Sequence, residues 1–189
     1  MAKGIMTRCG NTMTESAYLA WIRSALRSKS LKWPPRAEAL KLARRAYKGA
    51  NKLQKWEFLC AICGGWFKMK DCVVDHHPVA AGSILSVEDI GTFASNLYCE
   101  VDNLRVLCYE DHAIWTYAEK MGVSFEEART AKQTSSFMKQ DKDIVIQFLK
   151  ENGIAAEDYS NTSKRKKSVE KLFREGVIPE CLINTNKLE

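Results

Sequence analysis

The feature that most constrains this chain is Cys60-Ala-Ile-Cys63-Gly-Gly, answered further along by Cys108-Tyr-Glu-Asp111 at the same spacing. Two thiolates separated by two residues can share one zinc ion through a tight knuckle, and the glycines supply backbone freedom at the turn. In the second half an aspartate stands where a fourth cysteine is expected. A carboxylate can also ligate zinc, so Cys60, Cys63, Cys108 and Asp111 form a candidate set for structural Zn²⁺. Two readings stay open beside it: Cys72 or Cys99 in place of Asp111, and a plain pair of buried thiols. In a reducing compartment, clustered cysteines mean metal binding more often than disulfides. Cys9 and Cys181 lie far from the cluster and are expected to carry no chemistry.

The second constellation is Val73-Val-Asp75-His76-His77-Pro78. An acidic residue directly before a histidine, at the end of an apolar run, offers a hard oxygen ligand beside a nitrogen base. Successive strand side chains point to opposite faces, so a bulge or bend is needed before both can act on one phosphate. The chain has three histidines; two are adjacent here and the third, His112, directly follows the second half-site. Histidines satisfied by ordinary core or surface hydrogen bonds are the plain alternative, and it weighs most on His77.

Periodicity places helices around these motifs. Residues 15–29 carry Tyr18, Trp21, Ile22 and Leu26 at three- and four-residue steps behind a capping Thr14. A second helix is expected over 35–47, with Pro35 in its first turn. Between Cys60 and Val74 the pattern reads as a β-hairpin, with apolar stretches at Trp66-Phe67 and Cys72–Val74. A loop with a short helix near Val87–Ala94 follows, then an apolar run at 103–107 and a helix over 109–121. Ser124-Phe-Glu-Glu127 has the form of a capping box opening another helix. Helices near 141–152 and 163–175 complete the reading, and Trp21, Trp33 and Tyr47 are assigned to the core.

Charge divides the chain. Residues 1–59 hold 13 Lys/Arg against 3 Asp/Glu, a net of +10, whereas residues 60–112 hold 3 against 8, a net of −5. A basic arm beside an acidic centre suits phosphate binding next to carboxylates that hold a divalent ion, although solvated helix faces give the same pattern. No apolar run approaches the roughly 18 residues of a membrane span. The start, MAKGIMTRCG, lacks the apolar stretch of a secretory signal. The chain is therefore expected to be soluble and cytoplasmic, without a membrane partner.

Taken in order, Cys60-x-x-Cys63, Asp75-His76, Asp102-Asn103-Leu-Arg-Val-Leu-Cys108 and Asp111-His112 resemble the HNH, or ββα-metal, endonucleases. The flanks Lys52–Glu57, Leu97–Cys99, Thr116–Glu119 and Ser124–Ala128 resemble the homing-type HNH proteins of bacteriophages. The resemblance covers about residues 44–130. It implies an α+β fold in which a small ββα-metal core, a β-hairpin plus helix, lies between N- and C-terminal helical extensions. The corresponding boundaries are a basic helical region at 1–50, the HNH core at 51–122 and a helical DNA-binding extension at 123–187. Residues 188–189 read as a tag scar.

The resemblance also implies roles. Asp75 and His112 would hold a catalytic Mg²⁺ or Mn²⁺, His76 would be the general base, and Asn103 would brace the loop and orient His76. The expected activity is hydrolysis of DNA to a 5′-phosphate and a 3′-hydroxyl, in a phage-infected bacterial host. A phage terminase or another phage protein is the further expected partner. Phosphate contacts would come from Arg44, Arg45, Lys48, Lys52, Lys55, Lys68, Lys70, Lys164, Arg165, Lys166 and Lys167. Trp115 stands where the family usually has lysine. A shifted register, with His76 on metal and His77 as base, is the alternative to the Asp75-His76 dyad. Outside the nuclease class, the competing reading is a non-catalytic zinc module that binds DNA or protein.

Overall fold

The structure is a computed structural model that describes residues 5–51, 53–77 and 82–182. It is α+β, with seven α-helices and three small antiparallel sheets among the described residues. Contacts divide the chain into two compact units between Tyr109 and Glu110.

In the first unit, β1 (Met6–Arg8) and β2 (Met13–Thr14) precede α1 (Glu15–Ser30). Thr14 Oγ1 caps α1 by accepting the Ala17 N–H at 3.1 Å. Leu19 of α1 lies in a small core with Ile84, Phe93 and Leu97, flanked by Tyr18, Ile22 and Leu26. Trp21 falls outside that narrow stripe and is 65% exposed, contrary to its assignment to the core.

The second helix is shorter than its periodicity promised. Helix α2 (Pro34–Leu42) stops before residues 44–46, which form strand β3 (Arg44–Ala46) and pair with β4 (Trp56–Leu59). Long-range pairing overrides local helix preference here, because it also buries an ion pair. Arg45 lies directly across from Glu57, and its Nε donates to Glu57 Oε1 at 2.5 Å. Glu57 is 1% exposed, and the Arg45 guanidinium also covers the Trp66 ring at 3.9 Å. Removing one partner strands the other charge. Glu57→Ala should therefore cost about 3 kcal/mol in urea unfolding, the low end of the range, because the Arg45 side chain keeps 26% of its exposure. A loss below about 1 kcal/mol would mean that Arg45 reaches water.

The expected hairpin between Cys60 and Val74 does not form. Strand β5 (Trp66–Phe67) turns back onto β4, so the CAICGG knuckle is itself the turn of a β4–β5 hairpin. Cys60 N–H donates to Gly65 O at 2.9 Å and Gly64 N–H to Cys60 O at 3.0 Å. Gly64 has φ +66°, where a side chain would be strained. Strand β6 (Cys72–His76) pairs instead with the distant β7 (Leu104–Cys108), in register from Cys72 opposite Cys108 to His76 opposite Leu104. Helix α3 (Asp89–Leu97) lies in the excursion between them. Val74, Val106, Leu107, Phe58, Phe67 and Ala39 form the core that joins both sheets to α2.

Helix α4 (Tyr109–Met121) follows β7 without a break. In the second unit its Ile114 and Ala118 cluster with Ala128 of α5 (Phe125–Phe137). Both halves of the Ser124–Glu127 capping box are present. Helices α6 (Lys142–Glu151) and α7 (Thr162–Arg174) join α5 around Phe137, Val145, Leu149, Val169, Leu172 and Phe173. No helix of the described residues is long and apolar enough to cross a membrane.

Candidate metal centre and active site

Cys60 directly follows β4 at the knuckle, Cys63 lies within its turn, Cys108 is the last residue of β7, and Asp111 sits in the first turn of α4. One ligand atom from each lies within 4.8 Å of all the others. Tetrahedral zinc with bonds of roughly 2.3 Å to sulfur sets its donors about 3.8 Å apart, so the group fits a metal ion after a small contraction. The Ala61 N–H to Val106 O bond, at 2.9 Å, ties the knuckle to β7. Among the described residues this is the one group of three or more His, Cys, Asp or Glu side chains that converge in this way.

The thiols are not equivalent. A hydrogen bond from the Cys108 thiol pulls the Cys60 pKa down to about 6 against the opposing effect of burial, and backbone N–H groups of Cys108, Cys63 and Ile62 assist. Cys72 is pushed up to about 12, by burial first and then by the negative Cys60, Asp71 and Cys63. It is a protonated core thiol, not a member of the group. Cys99 is raised by burial, and its S–H donates to Asn103 O at 3.7 Å.

These shifts set a pH dependence for the metal-free chain. The folded pKa of Cys60 lies below its ordinary 9.0, so its contribution is complete above 9 and is lost as pH falls through 6. Cys72 acts oppositely, and its contribution is lost as pH rises from 9 towards 12. Urea midpoints measured in chelator should therefore climb from pH 6 to pH 9. Midpoints that stay flat or fall across that window would remove the ionised Cys60.

Strand alternation separates Asp75 from His76. Asp75 lies opposite Arg105, whose Nε and Nη2 both donate to Asp75 Oδ2, at 3.3 and 3.1 Å. His76 Nε2 lies 3.1 Å from the carbonyl oxygen of Leu97, the last residue of α3. A carbonyl can only accept, so Nε2 carries the hydrogen and Nδ1 is left as the basic nitrogen. Leu97 O is one of the carbonyls that a helix C-terminus leaves without an intrahelical partner.

Asn103 closes a short 3₁₀ turn (Val101–Asn103) before β7. Its N–H donates to Glu100 O at 3.0 Å and its carbonyl accepts the His77 N–H at 2.9 Å. The bond on the His76 ring comes from Leu97, not from Asn103. His112 is half-buried in the first turn of α4, and its carbonyl accepts from Thr116 Oγ1 at 2.9 Å.

Two residues to which the sequence assigned no role lie near Asp75. Arg105 could have been recognised by its position in β7, but its register partner could not. Arg36 of α2 donates from Nη1 to Val74 O at 3.1 Å; burial lowers its pKa, while Cys99 and Asp75 attract its charge.

The basic residues separate into two kinds. Arg44 (over the Trp56 ring at 4.3 Å), Lys48, Lys55, Lys70, Lys166 and Lys167 are exposed, and Lys68 is half-buried. Lys164 is exposed but donates to Glu157 O at 2.8 Å. Arg45 is held by Glu57, and Arg165, only 9% exposed, donates to Tyr159 O and Thr162 Oγ1. Lys52 and residues 188–189 lie outside the described residues. Comparison with protein-family models, curated proteins and solved structures finds no match for this chain.

Proposed function

We propose that this chain is a metal-dependent DNA endonuclease of the ββα-metal type. The observation that carries the reading is the His76 ring at the end of β6, with its Nε2–H committed to Leu97 O. The chain order supports it: an antiparallel strand pair, β6 and β7, runs directly into helix α4, which carries Asp111 and His112 in its first turn.

Asp75 and His112 would hold Mg²⁺ or Mn²⁺. Two protein donors suit such an ion, which keeps several waters and takes phosphate oxygens as further ligands. When bound, it polarises the scissile phosphate and neutralises charge on the leaving 3′ oxygen. His76 Nδ1 takes the proton of the attacking water, and the Leu97 carbonyl steadies the imidazolium that results. The products are a 5′-phosphate and a 3′-hydroxyl. Zn²⁺ at Cys60, Cys63, Cys108 and Asp111 would fix the knuckle to the β7–α4 junction. Arg44, Lys48, Lys55, Lys70, Lys166 and Lys167 would meet phosphates, giving affinity that falls with salt and little sequence preference.

The test is conversion of supercoiled plasmid to nicked or linear product by the purified protein with Mg²⁺ or Mn²⁺, at several salt concentrations. Absence of cleavage with every metal would favour a second reading, a zinc-stabilised DNA-binding module. That reading draws on the Arg105–Asp75 pair, which already gives the carboxylate a counter-ion. Cleavage tested with and without phage terminase would separate a packaging role from homing.

A further inference from the structure

Helix α1 turns Leu19, Ile22 and Leu26 onto α3, and Tyr98 Oη donates to Leu26 O at 2.9 Å. Another side of the helix lies open. Ala20, Arg23, Ser24, Arg27, Ser28 and Leu31 recur at steps of three and four residues and border a shallow surface depression. Arg23 is half-buried and the other five are exposed, as is Trp21, one turn before Ser24. The one acidic residue of α1, Glu15, is held by Arg8, whose Nη2 donates to Glu15 Oε1 at 2.8 Å. Among the described residues no ion pair involves Arg23 or Arg27. Arg27 lies instead over the Phe93 ring of α3, 5.7 Å from its centre. Two guanidiniums therefore stand on this face with no carboxylate to neutralise them.

Such a face attracts an anion, and its other residues narrow which one. A second copy of α1 would bring arginine against arginine, and an apolar partner would find only Leu31 on the depression. The Ser24 and Ser28 hydroxyls and the Trp21 indole N–H are donors suited to phosphate oxygens, and Ala20 lets a backbone approach closely. Arg23 and Arg27 are one turn apart, about 6 Å along the axis, and a guanidinium fork matches phosphate geometry. We propose that this face of α1 is a DNA-backbone surface, on which Arg23 and Arg27 grip neighbouring phosphates of one strand and Ser24 and Ser28 assist. The choice of DNA among polyanions rests on the endonuclease reading, to which the face adds a contact outside the metal-bearing strands. Helix α1 shares its core with Leu97, whose carbonyl holds His76, so the DNA contact and the His76 ring are built on one core.

The experiment measures binding of the purified full chain to a short fluorescent duplex by anisotropy, over a series of salt concentrations and without added divalent metal, so that the duplex stays intact. R23Q/R27Q should weaken binding about tenfold or more near 0.1 M salt and lower the slope of log affinity against log salt by about 2. R23K/R27K, which keeps the charge, should retain most of both. K139Q/K150Q removes the same charge from exposed positions of the second unit and should change binding little. Thermal melting checks the fold; if R23Q/R27Q melts early, Ala20→Glu reads the same face by repulsion from an exposed helix position. Wild-type affinity and slope in R23Q/R27Q, or an equal loss in K139Q/K150Q, would overturn the surface and leave the nuclease standing. Tighter binding to anionic phospholipid vesicles than to the duplex would overturn it in favour of a membrane. Duplex binding that depends on Arg23 and Arg27, with no nicking under any metal, would keep the surface and sink the nuclease. No duplex binding and no nicking would overturn both.

Discussion

His76→Ala should slow plasmid nicking by about 10²–10⁴-fold, the usual contribution of a positioned general base. The effect should fall on turnover and spare DNA binding, measured by fluorescence anisotropy, because phosphate contacts come from cations elsewhere. Stability should change little. The half-buried His76 ring makes one hydrogen bond, to Leu97 O, and losing such a bond costs about 1 kcal/mol. A large loss of rate with a preserved melting temperature would therefore separate chemistry from folding. Wild-type nicking by H76A would move the base elsewhere, and His77→Ala would then test the shifted register.

The second large effect concerns the cysteine group. The purified protein should carry one zinc per chain, and chelation or Cys60→Ser should remove it. Structural zinc brings on the order of 10 kcal/mol of apparent binding free energy at neutral pH, so losing even half exceeds what any one core side chain here supplies. A fall in melting temperature of about 15 °C or more is expected. Asp111→Cys should retain zinc, with tighter binding than wild type, because thiolate is the softer ligand. Cys72→Ser should leave the stoichiometry unchanged, since that thiol is protonated and outside the group. Protein that holds no zinc and melts identically in chelator would reduce the group to packed thiols.

Much of this was legible in the sequence where local signals decide structure. Helix α4 begins and ends at the expected residues, and α5 opens at its capping box, because capping and 3.6-residue periodicity act over a few positions. The spacing of Cys60, Cys63 and Cys108 also foretold a group that Asp111 completes. What escaped was non-local. Nothing near Arg44–Ala46 announces a strand, since its partner β4 lies ten or more residues on and the reward is the Arg45–Glu57 contact. The sequence likewise did not show that Arg45 meets Glu57 or that Arg165 donates to Tyr159 O and Thr162 Oγ1. The acceptor that fixes the His76 ring is a main-chain carbonyl, and a carbonyl leaves no residue signature.

The pairing of β6 with β7 has a consequence for how the molecule is made. The 27 residues between His76 and Leu104, α3 included, must be closed into a loop before any bond of that ladder can form. Loop closure is an entropic debt incurred before contacts offset it, and it slows folding more than it weakens the final state. An ion gripping Cys60 and Cys63 early in the chain, and Cys108 at the end of β7, would hold the Cys72–Cys108 end of the ladder beside the knuckle, opposite the His76–Leu104 pair that the excursion joins. Zinc bound there would shorten the search for the β6–β7 register, and refolding rates measured with and without chelator would test this.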